Sequence, residues 1–200
     1  MKLKPTKKEF LVFTVTILCI VLATYFNLLG ALLKARDVQR KGDLGAISNG
    51  LAAYQADIYS YPASEDGHIV ACLGGFDDRG IPQRRKCVWG EEGLRDIFYE
   101  DPNYPDYMKT IPQDPKTVDG VNYLYLSNGR HYQLFGHLEG LDKEPEYNPK
   151  VVARNLSCGN QICNFGVSDG ETPLEKSIEE YENELREKAL KNLMELRKKK

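Results

Sequence analysis

The strongest constraint on this chain is an uninterrupted apolar run near its N-terminus. Residues 10–33 read "FLVFTVTILCIVLATYFNLLGALL" and contain no charged side chain. A run of this length matches the roughly 20 apolar residues that a helix needs to cross a bilayer. The run therefore predicts a transmembrane helix and a lipid bilayer as one partner of the chain.

The residues on either side of the run predict whether it is cleaved and how it is oriented in the membrane. A cleaved secretory signal has an apolar core of roughly 7–15 residues and a small-residue cleavage site. Here the run is longer and "KARDVQRK" follows it, so we expect an uncleaved anchor. Lys2, Lys4, Lys7 and Lys8 precede the run. The positive-inside rule therefore places residues 1–9 in the cytoplasm. The residues after the apolar run are then outside the cytoplasm, in the periplasm or at the cell surface.

The cysteines indicate the same orientation. Cys72, Cys87, Cys158 and Cys163 lie beyond the apolar run, whereas Cys19 lies inside it. An even set on one side of a membrane is typical of disulfides in an oxidising compartment. Of the possible pairings we favour the local one, Cys72 with Cys87 and Cys158 with Cys163, because each pair closes a loop that contains glycine or proline.

A metal site is the alternative use of these cysteines, with His68, His131 or His137 as further ligands. Neither cysteine pair has the two-residue spacing of common zinc sites, so the disulfide interpretation is favoured and no cofactor is expected. His131 and His137 near Ser127 lack an activating third group, and no enzymatic activity is predicted from them. Positive and negative charges are mixed and sum to −2, which gives no basic patch for nucleic acid.

The residues after the apolar run predict that the helix continues. Apolar side chains recur mostly three or four positions apart, as on one stripe of a helix. These side chains are Val38, Leu44, Ile47, Leu51, Tyr54 and Ile58. We expect an amphipathic continuation over residues 34–61 that ends before Pro62. The charged residues expected on its remaining faces are Arg36, Asp37, Arg40, Lys41, Asp43 and Asp57.

The clearest strand signal is "VNYLYLSNGRHYQLFG", residues 121–136. Asn128-Gly129 favours a two-residue type I′ turn, which would pair Tyr125 with Tyr132 and Tyr123 with Leu134. These four residues would form the face that covers the helix. The opposite face would carry Leu124, Leu126, Gln133 and Phe135.

Two further elements are expected around this hairpin. A third strand is predicted within "KVVARNLSC", residues 150–158. Between the long helix and the hairpin, residues 62–115 form a long irregular insertion that contains the first cysteine pair. A short helix is predicted inside this insertion, near residues 92–99.

Three blocks together carry a family resemblance. They are "ARDVQRKGDLGAISNGLAAYQADIYSYP", "YMKTIPQDP" and "VNYLYLSNGRHYQLFGHLE", in this order after the apolar run. The chain resembles type IV pilin-like proteins over roughly residues 6–139, and most closely the major pseudopilins of type II secretion systems. The resemblance implies an α+β fold, with a long N-terminal helix half in the membrane and half against a small antiparallel sheet. It also implies a bacterial, non-enzymatic subunit that assembles with other pilin-like subunits through its N-terminal helix.

The predicted organisation follows from these blocks. Residues 1–9 are the cytoplasmic N-terminus, 10–33 the transmembrane helix and 34–61 its amphipathic continuation. Residues 62–157 form the globular head, 158–170 a disulfide loop and 171–200 a charged C-terminal helix.

The N-terminus departs from the family pattern. A prepilin peptidase in this family cuts after a glycine and leaves a pattern like Phe-Thr-x-x-Glu. When this family pattern is placed over the sequence, Thr6 and Glu9 fall on its threonine and its glutamate. The resemblance therefore implies that Thr6 and Glu9 are assembly residues. Lys4 and Pro5 stand where the glycine and phenylalanine belong, and they disfavour processing. Thr6 to Glu9 also reads as a capping box, which a helix start needs whether or not the subunit assembles.

The C-terminal region departs as well. The family carries a calcium loop there, but "GVSDGETP" lacks the spaced carboxylates that calcium requires, so calcium is not expected. Thr172, Pro173 and Glu175 predict a helix start. The following stripe is Leu174, Ile178, Tyr181, Leu185, Ala189, Leu193 and Leu196. This helix is either a solvated element docked on its own head, or a short coiled coil that binds a partner.

Two functions remain open from the sequence. The first is a structural subunit of a type II secretion or pilus-like assembly, which Glu9 in register favours. The second is a membrane-anchored extracytoplasmic binding protein that does not polymerise, which the missing cleavage glycine favours.

Overall fold

The computed structural model describes residues 7–98, 104, 106–140 and 147–198. The architecture is α+β, with one long N-terminal helix, small antiparallel sheets and a C-terminal helix, as predicted. The helices are α1 (Lys7–Ile58), α2 (Pro149–Ala153) and α3 (Ile178–Lys198), with a short 3-10 helix at Thr117–Asp119. The strands are β1 (Ala63–Glu65), β2 (His68–Phe76), β3 (Pro82–Lys86), β4 (Leu124–Ser127), β5 (Tyr132–Gly136), β6 (Ser157–Cys158), β7 (Gln161–Ile162) and β8 (Phe165–Ser168).

Helix α1 runs without a break from the apolar run into the amphipathic segment, as the sequence predicts. It has 52 residues and is therefore about 78 Å long at 1.5 Å per residue. It ends at Ile58, three residues before the predicted end, because Tyr59 adopts a left-handed φ of 60°. Gly50 lies on the buried side, where Met108 packs so closely that a Cβ would meet its Cε at 2.9 Å.

The core lies between the second part of α1 and two three-stranded antiparallel sheets. We call these sheets, together with the loops of residues 59–177, the head. One sheet has the order β1-β2-β3 and the other β4-β5-β8. The Tyr125 N–H donates to the Gly67 carbonyl at 2.8 Å and joins the two sheets. The helix contributes Leu44, Ile47, Leu51 and Tyr54, each at most 1% exposed. Val38, predicted in the same stripe, is 68% exposed and does not belong to it.

The β4–β5 hairpin has the predicted faces but a different register. Tyr125 pairs with Leu134 and Ser127 with Tyr132, a slip of two residues from the predicted pairing. Only Gly129 of the predicted turn pair has a positive φ, 87°, so the two-residue type I′ turn does not form. The Asn128 side chain instead accepts hydrogen bonds from the Arg130 and His131 N–H groups at 3.1 and 3.0 Å.

A slip of two residues leaves every side chain on its original face, because the side chains of a strand alternate with a period of two. The tyrosine face packs on the helix as predicted, through Tyr123, Tyr125, Tyr132 and Leu134. The opposite face is buried too, where Phe135 packs with Val151 and the second cysteine pair.

The third strand of this sheet is not where the sequence placed it. Residues 150–158 begin in α2 and contain only the short strand β6, so the predicted strand over this segment is wrong. Asn148 caps α2 by accepting from the Lys150 N–H at 3.0 Å, and Pro149 begins the helix. The strand beside β5 is β8, which follows the second cysteine pair.

The segment predicted as an irregular insertion contains a sheet. Strands β1, β2 and β3 lie within it, and Ile69 and Ala71 on β2 are at most 2% exposed. The short helix predicted near residues 92–99 is wrong for residues 92–98, which form turns and one bridge between Leu94 and Met108. Tyr99 lies outside the described residues.

Helix α3 begins at Ile178, later than predicted, and its capping box is Ser177 with Glu180. The Glu180 N–H donates to the Ser177 hydroxyl at 3.1 Å, and the Ser177 N–H donates to the Glu180 carboxylate at 2.8 Å. Residues 173–176 form a turn rather than a helix, and the buried Gln133 side chain donates to the carbonyls of Pro173 and Lys176, at 2.6 and 2.7 Å. The predicted start at Thr172 is therefore wrong.

Candidate functional site

The first part of α1 presents apolar side chains to its surroundings on every face. Within residues 10–33, which we call the apolar half, the large hydrophobic side chains are 37% to 67% exposed. No residue in the most apolar stretch of this helix is buried. This helix is long and apolar enough to cross a membrane.

The few polar side chains of the apolar half bond to the helix itself. Thr14 donates to the Phe10 carbonyl and Thr16 to the Val12 carbonyl, each at 2.9 Å. Thr24 and Asn27 bond back to carbonyls four residues earlier in the same way. Lipid offers no hydrogen bonds, so each polar group in a bilayer must find a partner within the protein. The three threonines and Asn27 of the apolar half meet this condition with local bonds.

A buried charge cluster lies where the second part of α1 meets the head. Arg40 is fully buried, although the sequence placed it on the solvent-facing side. Its Nε and Nη2 donate to the two carboxylate oxygens of Asp114 at 2.7 and 3.1 Å. Its Nη1 lies 2.8 Å from both Asp37 and Glu139. Three carboxylates from distant parts of the chain thus surround one guanidinium group.

Asp37, also predicted to face solvent, is 1% exposed. Besides Arg40, its carboxylate accepts hydrogen bonds from the Glu139 and Gly140 N–H groups at 2.9 and 2.7 Å. It therefore ties the segment that follows β5 to the side of α1. Arg36 adds a second link, with Nε and Nη2 donating to Glu139 at 2.7 and 2.6 Å.

The charges of the cluster are paired. Arg36 and Arg40 face Asp37, Asp114 and Glu139, and Lys116 lies 4.0 Å from Glu139 and 3.5 Å from Asp119. Burying a charge is costly unless it is paired and hydrogen-bonded. Both conditions are met for Arg40, because each of its three nitrogens has a carboxylate partner.

The pKa values respond to these partners. Hydrogen bonds from Arg36, followed by those from Arg40, lower the pKa of Glu139 to about 2 despite its partial burial. Burial disfavours the charged form of Arg40, but the carboxylates of Asp114, Glu139 and Asp37 outweigh it and raise its pKa. Burial raises the pKa of Asp43, and the hydroxyl of Tyr123, which donates to it at 2.7 Å, works against that rise.

The charge cluster unites three sequence blocks that lie far apart in the chain. Asp37 and Arg40 come from "ARDVQR", Asp114 from "IPQDP" and Glu139 from "FGHLE". Sequence reasoning used these blocks but missed that their charged residues meet. The sequence signal that could have revealed this cluster is the spacing of Asp37 and Arg40. They lie three positions apart, one turn before the buried stripe. Chemically, the arrangement fixes the orientation of the head on the helix.

Of the two predicted assembly residues, Glu9 lies at the opposite end of α1, where it is exposed in the first turn of the helix. Thr6 lies outside the described residues, as do Lys4 and Pro5. The predicted capping box from Thr6 to Glu9 stays a prediction for the same reason.

Both favoured cysteine pairs are joined in the structure. Cys72 and Cys87 link β2 to the chain after β3, and Cys158 and Cys163 close the β6–β7 hairpin. Cys19 is free and exposed in the apolar half. In the described part of the chain, no group of three or more His, Cys, Asp or Glu residues could hold a metal ion.

The histidines considered as metal ligands or catalytic groups have other partners. His131 Nδ1 lies 2.6 Å from Asp169, and His137 Nδ1 lies 2.7 Å from the Ile162 carbonyl. The Ser127 hydroxyl accepts from the Gly129 N–H rather than contacting either histidine. The "GVSDGETP" segment folds around Asp169, which accepts hydrogen bonds from Thr172 and Glu171.

A cleft of about 440 Å³ lies on the head beside the first disulfide. Trp89, Tyr123 and His68 line it, with centroid distances of 6.0 Å from the Trp89 ring to each of the other two rings. Asp66 and Lys86, which form an ion pair at 2.8 Å, lie on its rim. Aromatic walls with polar groups at the edge are typical of small-ligand sites.

The comparisons with known proteins find no matching family model, no similar curated protein and no similar solved structure.

Proposed function

We propose that this chain is a pilin-like structural subunit, anchored in a membrane by the apolar half of α1 and assembled with similar subunits through the same segment. The observation that carries the proposal is the continuity of α1. One helix presents apolar side chains on all faces over residues 10–33 and then packs one stripe of side chains, from Leu44 to Tyr54, into the head. A type II secretion or pilus-like machine is the proposed setting, and the role is structural rather than enzymatic.

The orientation follows from the flanking charges and the disulfides. Lysines precede the apolar half, and both disulfides lie in the head. We therefore place the N-terminus in the cytoplasm and the head in an oxidising extracytoplasmic space. The charge cluster at Arg40 suits this arrangement because it holds the head in one orientation on the helix that anchors it.

Assembly through the apolar half assigns a role to Glu9. A carboxylate at the membrane edge of a helix bundle is costly unless positive partners offset its charge, and in an assembly a neighbouring subunit can supply one. With processing disfavoured by Lys4 and Pro5, that partner is Lys7 or Lys8 of an adjacent chain. The assembly is then short, or depends on other subunits that are processed.

A second function is favoured by a separate observation, the aromatic cleft of the head. In this alternative the chain is a membrane-anchored extracytoplasmic binding protein that does not polymerise, and the cleft beside Trp89 takes a small ligand. The volume of the cleft, about 440 Å³, lies within the usual range of small-molecule sites.

Crosslinking within the membrane separates the two functions. Single cysteines are placed in turn along residues 10–33 of the full-length chain in a Cys19→Ser background, and membranes are oxidised. A packed assembly gives ladders whose strength repeats with the helical period. A non-assembling anchor gives no ladder, which would favour the binding protein.

The Glu9→Gln variant tests the role of Glu9 within the same experiment. We expect weaker ladders with an unchanged melting temperature of the head, since Glu9 lies outside the folded core. Lys34→Gln, at the other end of the apolar half, is the matched control for loss of a charge beside this segment. An unchanged ladder in Glu9→Gln would leave Glu9 as a helix cap only.

A further inference from the structure

Among the described residues, the contacts between helix α3 and the head lie in the first two turns of the helix. The Tyr181 ring packs edge-on against His131 with centroids 5.4 Å apart, and Glu182 accepts from the Asn128 side chain at 2.9 Å. None of the described residues of α3 is buried. The exposed fraction rises along the helix, from 40% at Leu185 to 64% at Leu196. The later turns therefore project from the head with an unpartnered surface.

That surface is an apolar stripe. Its members are four and three residues apart, which places them within about 80° on a helix that turns 100° per residue. They are Leu185, Ala189, Leu193 and Leu196. The stripe continues the face by which Tyr181 contacts the head, and it extends about three turns beyond that contact.

The charges of α3 are divided between its two ends. Residues 178–187 carry five glutamates and one arginine, a net charge of −4. Residues 188–198 carry four basic residues and one glutamate, a net charge of +3. Two copies side by side in parallel would bring like charges together along their whole length. Two antiparallel copies bring the acidic end of each against the basic end of the other.

We propose that α3 pairs antiparallel with α3 of a second copy of this chain. The charge division is what selects a second copy as the occupant, because the helix is complementary to itself. The apolar stripe then overlaps its own copy, with Leu185 against the partner's Leu196 and Ala189 against the partner's Leu193. The small Ala189 lets the two helices approach closely at the centre. Glu184 lies near the basic residues at the end of the opposite helix.

The pairing is short, and its strength depends on colocalisation. Sustained coiled coils usually contain three to four heptads, and α3 has 21 residues. Anchoring both chains in one membrane raises their effective concentration and so favours a weak contact. The contact pairs heads and is independent of any assembly through the apolar half of α1.

Crosslinking of two differently tagged full-length chains tests the orientation. Both carry Cys19→Ser, one carries Leu185→Cys and the other Leu196→Cys, and the membranes are treated with a short bismaleimide. Antiparallel pairing gives a mixed adduct severalfold stronger than either same-site adduct. Dominant same-site adducts would show a parallel pair, and the absence of adducts would show no pairing; either result overturns the proposal.

A matched pair of substitutions tests the stripe. Leu193 and Met194 are adjacent and are 59% and 60% exposed, but Met194 lies on the opposite side of the helix from the stripe. Leu193→Glu in both tagged chains is expected to remove the mixed adduct, and Met194→Glu to leave it. Equal effects of the two variants would overturn the proposed face.

The outcome is distinguishable from a failure of the proposed function. Crosslinks in α3 report on head pairing, whereas ladders along residues 10–33 report on assembly of the anchor. Loss of the α3 adduct in Leu193→Glu with intact ladders supports two separate contacts. If the mixed adduct forms only when a different protein is also present in the purified sample, that protein and not a second copy is the partner of α3. This result would overturn the inference.

Discussion

The two parts of helix α1 solve the same physical problem in different ways. In the apolar half, polar side chains such as Thr14 and Asn27 bond to carbonyls four residues earlier. In the second part, Arg40 finds Asp114 74 residues away, and Arg36 finds Glu139 103 residues away. These bonds are local in the first part, while in the second they require the folded head. One continuous helix can therefore serve two surroundings, lipid and a protein core.

A carboxylate placed in each part of α1 should give the largest contrast. Leu51→Asp introduces a charge at a fully buried position, and we expect the head to lose about 4 kcal/mol or more of unfolding free energy. Leu22→Asp, at a 47% exposed position, should leave the melting of the head unchanged. It should instead lower membrane insertion, by about 2.5–3.5 kcal/mol at the bilayer centre.

Thermal unfolding in detergent and carbonate extraction of membranes measure the two effects of these variants. A stable Leu51→Asp head would mean that the stripe from Leu44 to Tyr54 does not face the core. Complete extraction of Leu22→Asp with a destabilised head would remove the distinction between the two parts of the helix.

Arg40 should be the next most sensitive position. Arg40→Leu leaves Asp114 and Asp37 buried without their cation, and breaking a buried pair in this way costs about 3–5 kcal/mol. Arg36→Leu is the matched control, because the Arg36 side chain is 29% exposed and Glu139 keeps Arg40 as a partner. Its loss should cost only about 1 kcal/mol. Urea unfolding of the two variants gives the comparison, and equal losses would contradict the central role of Arg40.

The two disulfides should differ in the stability that they add. In the loop-entropy picture, the separation of 15 residues between Cys72 and Cys87 corresponds to about 3 kcal/mol. The separation of 5 between Cys158 and Cys163 corresponds to about 2 kcal/mol. Paired Cys→Ala variants test this in unfolding experiments. A larger loss from the shorter loop would show that packing around Phe135, rather than loop closure, sets the effect.

The smallest expected effect is a dependence on pH. The folded-state pKa of Glu139 is about 2, below its ordinary 4.5, so its charged form stabilises the head. This stabilisation is complete above about pH 4.5 and is lost as the pH falls from there towards 2. Glu139→Gln should be less stable at neutral pH and should lose less stability on acidification. An identical acid profile in both proteins would mean that Glu139 is not paired with Arg36 and Arg40 in solution.

Features that depend on interactions between residues close in sequence were predicted correctly, and features that depend on distant residues were not. The continuity of α1 from the apolar run into the amphipathic segment, the faces of the hairpin and the cysteine pairs were predicted correctly, because each depends on period or on loop closure over short distances. The register of the hairpin was not, since the Asn128 side chain bonds to the loop itself and lengthens it. Strand β2 was missed because its partners β1 and β3 are short and give little alternation of their own.

The start of α3 shows the same limit of local signals. Thr172 and Pro173 are a valid helix start in isolation, but Gln133 holds the carbonyls of Pro173 and Lys176 outside the helix. The candidate site divides in the same way. The apolar half was predicted, whereas the charge cluster was not, because Asp37 and Arg40 look like surface residues until Asp114 and Glu139 are brought to them.

The sequence by itself determined that one long helix begins with a lipid-compatible segment and continues with a stripe for a protein core. It did so because helix period and hydrophobicity act over neighbouring residues. Only the tertiary structure decided that the helix meets the head through a buried cluster of paired charges. The reason is physical: Arg40 can leave water only when carboxylates 74 and 99 residues further along the chain replace the solvent around it.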